Sequence, residues 1–136
     1  MKRIALDTNA YVAYKRGEKE ALEIIRSAQE LGISVVVLGE MLSGFSLGRN
    51  EERNRLELAQ FLDSPRMTVL SVDEETPEYY ARIFLSQRKK GKPVPTNDLW
   101  IAATALQNGF ALFSHDAHFQ QIEGLISGCR KSDFLP

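Results

Sequence analysis

Short apolar runs alternate along the chain with segments whose apolar residues recur at helical spacing. The continuous apolar or β-branched runs cover residues 4–6, 33–38, 67–72 and 110–114 and are typical of strands buried on both faces of a sheet. Because helical segments separate these runs, the pattern predicts right-handed crossovers and a parallel sheet with helices on both faces. The predicted architecture is a three-layer α/β/α sandwich with four to five strands, formed by residues 1–136 as a single domain.

The helices can be placed from apolar spacing and from residues that begin or end helices. Four apolar residues recur at helical spacing in the first of them: Leu22, Ile25, Ala28 and Leu31. Gly32 follows as the predicted end of that helix. Further helices are predicted over residues 40–47, 56–62 and 97–108, and after Thr76. Thr76 and Thr96 are the predicted N-terminal caps, and Gly109 ends the last of these helices. Beyond residue 120 the pattern is ambiguous and is compatible with a short helix followed by an edge strand.

Composition narrows the class of protein and its compartment. Hydrophobic residues make up 43% of the chain and charged residues 26%, which is ordinary for a soluble globular protein. The net charge of −1 argues against a strongly basic nucleic-acid-binding surface and against a polyanionic tail. Cys129 is the only cysteine, which fits a reducing compartment. The first apolar run is too short for a signal peptide, and no segment approaches the roughly 20 apolar residues that span a bilayer. We therefore expect a cytoplasmic protein.

Four acidic residues fall where the predicted sheet would bring them together. Asp7 directly follows the first strand, Glu40 follows the second and Asp116 follows the fourth. Ligands bind beyond the carboxyl ends of parallel strands, so these three acids should meet at one edge of the sheet. Asp98 can join them from the first turn of its helix. Taken singly, each acid also has an ordinary explanation as a cap or turn residue, but the set favours a common site.

A cluster of four carboxylates needs either raised pKa values or a cation. Two carboxylates 4 Å apart repel by about 4 kcal/mol at an effective dielectric constant near 20. Aspartate and glutamate oxygens suit Mg²⁺ or Mn²⁺, and no His or Cys pair has the spacing of a zinc site. Such a site suggests phosphodiester chemistry. Four neighbouring polar residues can orient the ligands or hold water: Thr8, Asn9, Asn97 and Ser114.

Four short segments resemble the motifs of PIN-domain ribonucleases, in the same order and over nearly the whole chain. They are residues 6–9 (Leu-Asp-Thr-Asn), 39–44 (Gly-Glu-Met-Leu-Ser-Gly), 97–105 (Asn-Asp-Leu-Trp-Ile-Ala-Ala-Thr-Ala) and 114–119 (Ser-His-Asp-Ala-His-Phe). Within that family the chain is most similar to the VapC-like toxins of toxin–antitoxin pairs. The resemblance implies a PIN-like fold and an Mg²⁺- or Mn²⁺-dependent endoribonuclease whose acidic site residues are Asp7, Glu40, Asp98 and Asp116. It also implies an RNA substrate, a cognate antitoxin that enters or covers the acidic cleft, and a homodimer.

Three other functions stay open at this point. A PIN-like module could bind RNA or a protein without cleaving, and a housekeeping RNA-processing nuclease would need no antitoxin. Phosphoryl transfer through an aspartyl-phosphate is a third. The phosphatases that use it carry an Asp-x-Asp motif after the first strand, whereas here Asn9 replaces the second aspartate of that motif. The basic residues between Arg88 and Lys92 are expected on a solvated helix end, with phosphate contact as the alternative. His115 and His118 are expected as surface loop residues.

Overall fold

A computed structural model describes residues 3–135 and contains one sheet of five parallel strands. The strands are β1 (Arg3–Leu6), β2 (Glu30–Ser34), β3 (Met67–Leu70), β4 (Ala111–Phe113) and β5 (Ser127–Gly128). Their order in the sheet is β3-β2-β1-β4-β5, so β1 lies at the centre and pairs with β2 and β4. The predicted parallel sheet of four to five strands is therefore confirmed.

Helices cover both faces of the sheet, as predicted for a three-layer α/β/α fold. They are α1 (Thr8–Lys15), α2 (Lys19–Ser27), α3 (Val35–Leu47), α4 (Glu51–Leu62), α5 (Thr76–Lys89) and α6 (Thr96–Asn108), with two 3₁₀ helices at Ala117–Gln121 and Lys131–Phe134. Within residues 3–135, none of these helices combines the length and apolarity needed to cross a membrane.

The alternating side chains of each strand form two cores, one on each face of the sheet. Ile4 and Leu6 of β1 pack with buried residues of α1 and α2. Ala5, on the opposite face of the same strand, packs in a second core with buried residues of α3, α4, α5 and α6. Every one of these β1 side chains is at most 3% exposed, so the central strand is fixed from both sides. Its carboxyl end, where Asp7 follows, is positioned accordingly.

The predicted strand over residues 33–38 is wrong, because α3 already begins at Val35. The hydroxyl of Ser34 accepts a hydrogen bond from the Val36 backbone N–H at 3.0 Å and caps the helix. The strand itself lies earlier, and Gly32 pairs with Ala5 inside the sheet instead of ending a helix. A β-carbon on Gly32 would lie 2.9 Å from a ring carbon of Phe110, so the glycine is needed for this close approach.

Other departures concern caps and a helix that the pattern did not reveal. α1 was not predicted, although Asp7 caps it through a hydrogen bond from the Thr8 N–H. Thr76 and Thr96 are the first residues of α5 and α6, and neither helix has a side-chain cap hydrogen bond. Gly109 does end α6, with a left-handed φ of 73°. The tail contains both of the elements left open for it, a 3₁₀ helix and the edge strand β5.

Candidate functional site

A cleft of about 640 Å³ lies beyond the carboxyl ends of the central strands and is lined by all four predicted acids. Asp7 directly follows β1, and Asp116 follows β4 as the cap of the 3₁₀ helix Ala117–Gln121. Asp98 lies in the first turn of α6. Glu40 lies inside α3 and not at a strand end as expected, because β2 stops at Ser34. The acids therefore meet through two strands and two helices.

Asp7 is the most enclosed of the four acids, with 6% of its surface exposed. Its Oδ1 atom accepts from the Thr8 N–H at 2.8 Å, and the hydroxyl of Ser114 donates to Oδ2 at 2.7 Å. The side-chain amide of Asn9 lies 3.4 Å from Oδ2. Burial raises the pKa of the Asp7 carboxyl, the two short hydrogen bonds oppose that rise, and the charge of Asp98 adds to it.

Glu40 is held by two of the polar residues that accompany the acidic motifs. The Thr8 hydroxyl donates to its Oε1 atom at 3.1 Å. The amide of Asn97 lies 3.4 Å from its Oε2 atom. Thr8 and Asn97 thus contact Glu40, whereas Asn9 and Ser114 contact Asp7 and each other. The four polar residues occupy positions that can orient the two carboxylates.

Asp98 and Asp116 share a histidine that was expected to be an ordinary surface residue. The Nδ1 atom of His118 lies 3.2 Å from an oxygen of Asp98 and 3.0 Å from an oxygen of Asp116. Burial raises the pKa of Asp98, the hydrogen bond from His118 opposes this, and the charge of Asp116 raises it further. The sequence signal was the two-residue spacing between Asp116 and His118, which places both on one 3₁₀ turn.

Arg16 is a second cleft residue that the sequence did not single out. It follows α1 and lines the same cavity as the acids. Its proximity depends on the direction of α1, a helix that was not predicted. Within residues 3–135, neither Arg16 nor any other arginine or lysine lies within ion-pairing distance of the four acids.

The donor set fits a hard divalent cation. Four carboxylates face one cleft without a lysine or arginine ion pair among the described residues, and two of them have raised pKa values. The hydroxyl and amide groups around Asp7 and Glu40 donate hydrogen bonds to these carboxylates and can orient them. Mg²⁺ and Mn²⁺ are bound by carboxylate oxygens, and their charge would offset the mutual repulsion of the carboxylates. Residues Asp98, Asp116 and His118 also place three ligand atoms within 4.8 Å of one another.

Known proteins share both the sequence pattern and the fold. The PIN domain family matches residues 4–125. "Ribonuclease VapC4" of Mycobacterium tuberculosis is 36% identical over 87 residues, which are 64% of this chain and 67% of that protein. "Ribonuclease VapC1" of Rickettsia felis is 30% identical over 125 residues, covering 90% of this chain and 92% of that protein.

The solved structures agree with the sequence comparisons. A chain in the crystal structure of DNA-bound VapBC from Salmonella typhimurium superposes with a TM-score of 0.80 at 25% identity, covering 94% of this chain and 98% of that one. The family match covers most of the chain, and the acidic residues of its motifs line one cleft. The chain belongs to the PIN domain family, among its VapC-like members.

Proposed function

We propose that this protein is an Mg²⁺- or Mn²⁺-dependent endoribonuclease and the toxin of a toxin–antitoxin pair. The observation that carries the proposal is the convergence of Asp7, Glu40, Asp98 and Asp116 on one cleft in a PIN-family chain. The VapC-like relatives are named ribonucleases, which supports RNA as the substrate. The intact acidic set also favours cleavage over the alternative of a PIN-like module that only binds.

Each acid has a distinct part in this proposal. Asp7 and Asp98 are the principal metal ligands in this proposal, since Asp7 directly follows the central strand β1 and Asp98 faces it across the cleft from the first turn of α6. A bound divalent ion supplies positive charge to the scissile phosphate. Glu40 and Asp116 complete the site or orient the attacking water. Thr8 and Asn97 hold the Glu40 carboxylate in place through their hydrogen bonds.

Asp98→Asn tests the cleavage proposal directly. We expect the variant to lose Mg²⁺- and Mn²⁺-dependent cleavage of RNA by at least about 100-fold while its thermal unfolding stays close to that of the wild type. Asp63→Asn is the matched control, because Asp63 is an exposed aspartate at the end of α4. Sequencing RNA ends after induced expression of each form would identify the cleaved RNA. Full activity of Asp98→Asn would overturn the assignment.

The partner that we propose is an antitoxin that occupies the acidic cleft and the groove beside it. This groove, of about 350 Å³, shares Thr8, Val12, Arg16 and Glu40 with the cleft and continues along α1, α3 and α4. An arginine or lysine of the antitoxin could pair with the carboxylates. The solved relative is a VapBC complex, which supports such a partner. If a small protein is encoded next to this gene, its co-expression should suppress RNA cleavage, and a failure to do so would favour a housekeeping nuclease.

We also propose that the protein is a cytoplasmic homodimer. Two large apolar side chains on α5 are exposed, Phe84 by 44% and Leu85 by 52%, and a second copy could cover them. Light scattering on the purified protein should give twice the mass of 15.3 kDa. Phe84→Glu should then shift the mass to that of one chain. A wild type that is monomeric at all concentrations would remove the homodimer from the proposal.

A further inference from the structure

His118 differs from ordinary surface histidines because its ring faces two of the proposed metal-binding carboxylates. Its Nδ1 atom is 3.2 Å from Asp98 Oδ2 and 3.0 Å from Asp116 Oδ1. The side chain is 51% exposed, so neither packing nor burial requires this position. The ring nitrogen adds a different type of donor to an otherwise oxygen-only site.

The backbone around His118 fixes where its ring can go. The His118 N–H donates to Asp116 Oδ1 at 2.9 Å, which ties both residues to the first turn of the 3₁₀ helix Ala117–Gln121. The next residue, Phe119, is completely buried and anchors that turn in the core. The turn therefore places His118 beside the acidic cluster, and the ring contacts with Asp98 and Asp116 place the imidazole at its edge.

The distances match those between neighbouring ligands of one small cation. In octahedral coordination with bonds of about 2.1 Å, adjacent ligand atoms lie about 3 Å apart. The two separations from the His118 nitrogen to carboxylate oxygens are close to this value. One ion could consequently contact the nitrogen and both oxygens, provided that the ring proton that Nδ1 donates to the carboxylates in the absence of the ion moves to Nε2 or is released, which leaves the Nδ1 lone pair free for the ion.

We propose that the Nδ1 atom of His118 is a ligand of the divalent ion and gives the site a preference for Mn²⁺ over Mg²⁺. This inference rests on the proposed metal-dependent function. Mg²⁺ is a hard ion that favours oxygen ligands, whereas imidazole nitrogen suits transition-metal ions. A nitrogen ligand should therefore strengthen the binding of Mn²⁺ more than that of Mg²⁺. An oxygen-only site would discriminate less between these two ions.

Pulsed electron paramagnetic resonance of the Mn²⁺-loaded protein tests the coordination directly, without measuring activity. The chain has only two histidines, so an imidazole nitrogen coupled to Mn²⁺ can come only from His115 or His118. We expect the coupling in the wild type and in His115→Asn, and its loss in His118→Asn. His115 is the matched control, since it lines the same cleft but its Nδ1 lies 3.4 Å from Asn9 Oδ1 and not beside an acid.

Binding constants give a second, independent readout. By calorimetry, His118→Asn should weaken Mn²⁺ binding roughly tenfold and leave Mg²⁺ binding within about threefold of the wild type. If Mn²⁺ binds to the wild type without nitrogen coupling, the inference fails and the proposed nuclease site survives. If neither ion binds the wild type and Asp98→Asn changes nothing, the proposed metal-dependent function fails as well. Equal weakening of Mn²⁺ and Mg²⁺ binding would also overturn the selectivity assigned to His118.

Discussion

At the scale of single residues, the ionised carboxylate of Asp7 carries an electrostatic cost that a bound cation would offset. Asp7 is buried, and its pKa is raised by burial and by the neighbouring acids. Its ionised form is therefore less favourable in the folded chain than in the unfolded chain. This cost is present above the folded pKa and disappears below the ordinary value of 3.8, where both states are protonated.

Asp7→Asn should consequently stabilise the metal-free protein. Asparagine keeps the helix-capping oxygen and the shape of the side chain but removes the buried charge. In EDTA at neutral pH we expect a gain of about 1 kcal/mol in the free energy of unfolding, or roughly 3 °C in Tm. Thermal unfolding at several pH values should show the gain shrinking as the pH falls towards 3.8.

The same comparison in Mn²⁺ should give the opposite order. If the wild type binds Mn²⁺ as proposed, saturation at 100 times Kd would stabilise it by about 2.7 kcal/mol, whereas Asp7→Asn should bind the ion poorly. Asp63→Asn, at an exposed position, should behave like the wild type in both solutions. If Asp7→Asn is less stable than the wild type even in EDTA, the hydrogen bonds to the ionised Asp7 carboxylate outweigh the cost of its burial without any metal ion.

His118 shows the limit of sequence reasoning at this scale. The convergence of Asp7 and Asp116 could be predicted because the carboxyl ends of parallel strands meet at one edge, a rule that needs only the order of elements. Asp98 was added from the first turn of its predicted helix. The two-residue spacing from Asp116 indicates a shared turn, but the position of His118 also depends on that turn being 3₁₀ and on the burial of Phe119, which the spacing alone does not give. Glu40 does line the same cleft as the other acids, but its position was predicted from a strand that the structure ends at Ser34.

At the scale of elements, a helix cap sets the boundary between β2 and α3, which the apolar spacing left ambiguous. Three consecutive valines at residues 35–37 favour a strand by composition. Ser34 caps the chain directly before them, and Val37 is buried in the core between α3 and the sheet. Tertiary packing and the cap together outweigh the weak intrinsic preference of valine. The strands β1 and β3 were predictable, because each is a short run bounded by polar or turn residues.

The two glycines near this boundary should respond to alanine in opposite directions. Gly32→Ala would place a methyl group 2.9 Å from the Phe110 ring, and we expect a loss of roughly 1–3 kcal/mol in unfolding free energy. A β-carbon on Gly39, which is exposed in α3, would meet nothing within 4 Å. Gly39→Ala should therefore stabilise the protein by about 0.5–1 kcal/mol. Urea unfolding of the two variants checks both signs, and equal effects would contradict the register of β2.

A buried hydroxyl joins α5 to the end of α6 and gives a further prediction. Thr76 is fully buried, and its hydroxyl donates to Gln107 at 2.6 Å and accepts from the Asp73 N–H at 2.9 Å. Thr76→Val should lower the free energy of unfolding by roughly 1–3 kcal/mol, because the Asp73 N–H and the Gln107 side chain each lose a hydrogen-bond partner. Thr68→Val makes the same change at an exposed position of β3 and should stay within about 0.5 kcal/mol. Equal stabilities in urea would show that the network contributes nothing.

At the scale of the whole molecule, a net charge of −1 conceals an uneven distribution. Four acids line one cleft, which leaves the rest of the chain mildly basic. Arg16 lines this cleft, and Lys92 shares a cavity of about 110 Å³ with His118. Within residues 3–135, neither cation makes an ion pair, so both are available to a polyanion at the edge of the acidic cluster.

This distribution predicts that metal controls RNA affinity as well as cleavage. In EDTA the acidic cleft repels phosphate, so Asp7→Asn/Asp98→Asn should bind a non-cleavable 2′-O-methyl RNA more tightly than the wild type, by roughly tenfold or 1.4 kcal/mol. In Mn²⁺ the order should reverse, because only the wild type holds the cation. Higher ionic strength should reduce the difference seen in EDTA, since salt screens the repulsion.

The control must change the total charge equally without changing the cleft. Asp63→Asn/Glu74→Gln removes two exposed carboxylates that do not line the cleft. Its effect in EDTA should be smaller than that of the cleft variant, and its affinity should follow that of the wild type when Mn²⁺ is added. Fluorescence anisotropy measures all six combinations of protein and solution. If both double variants bind the RNA more tightly by the same factor in EDTA, the affinity depends only on the net charge, and the RNA does not pass over the four acids. If only the cleft variant binds the RNA more tightly in EDTA, the scissile strand approaches the carboxyl ends of β1 and β4, where the proposed ion would bind.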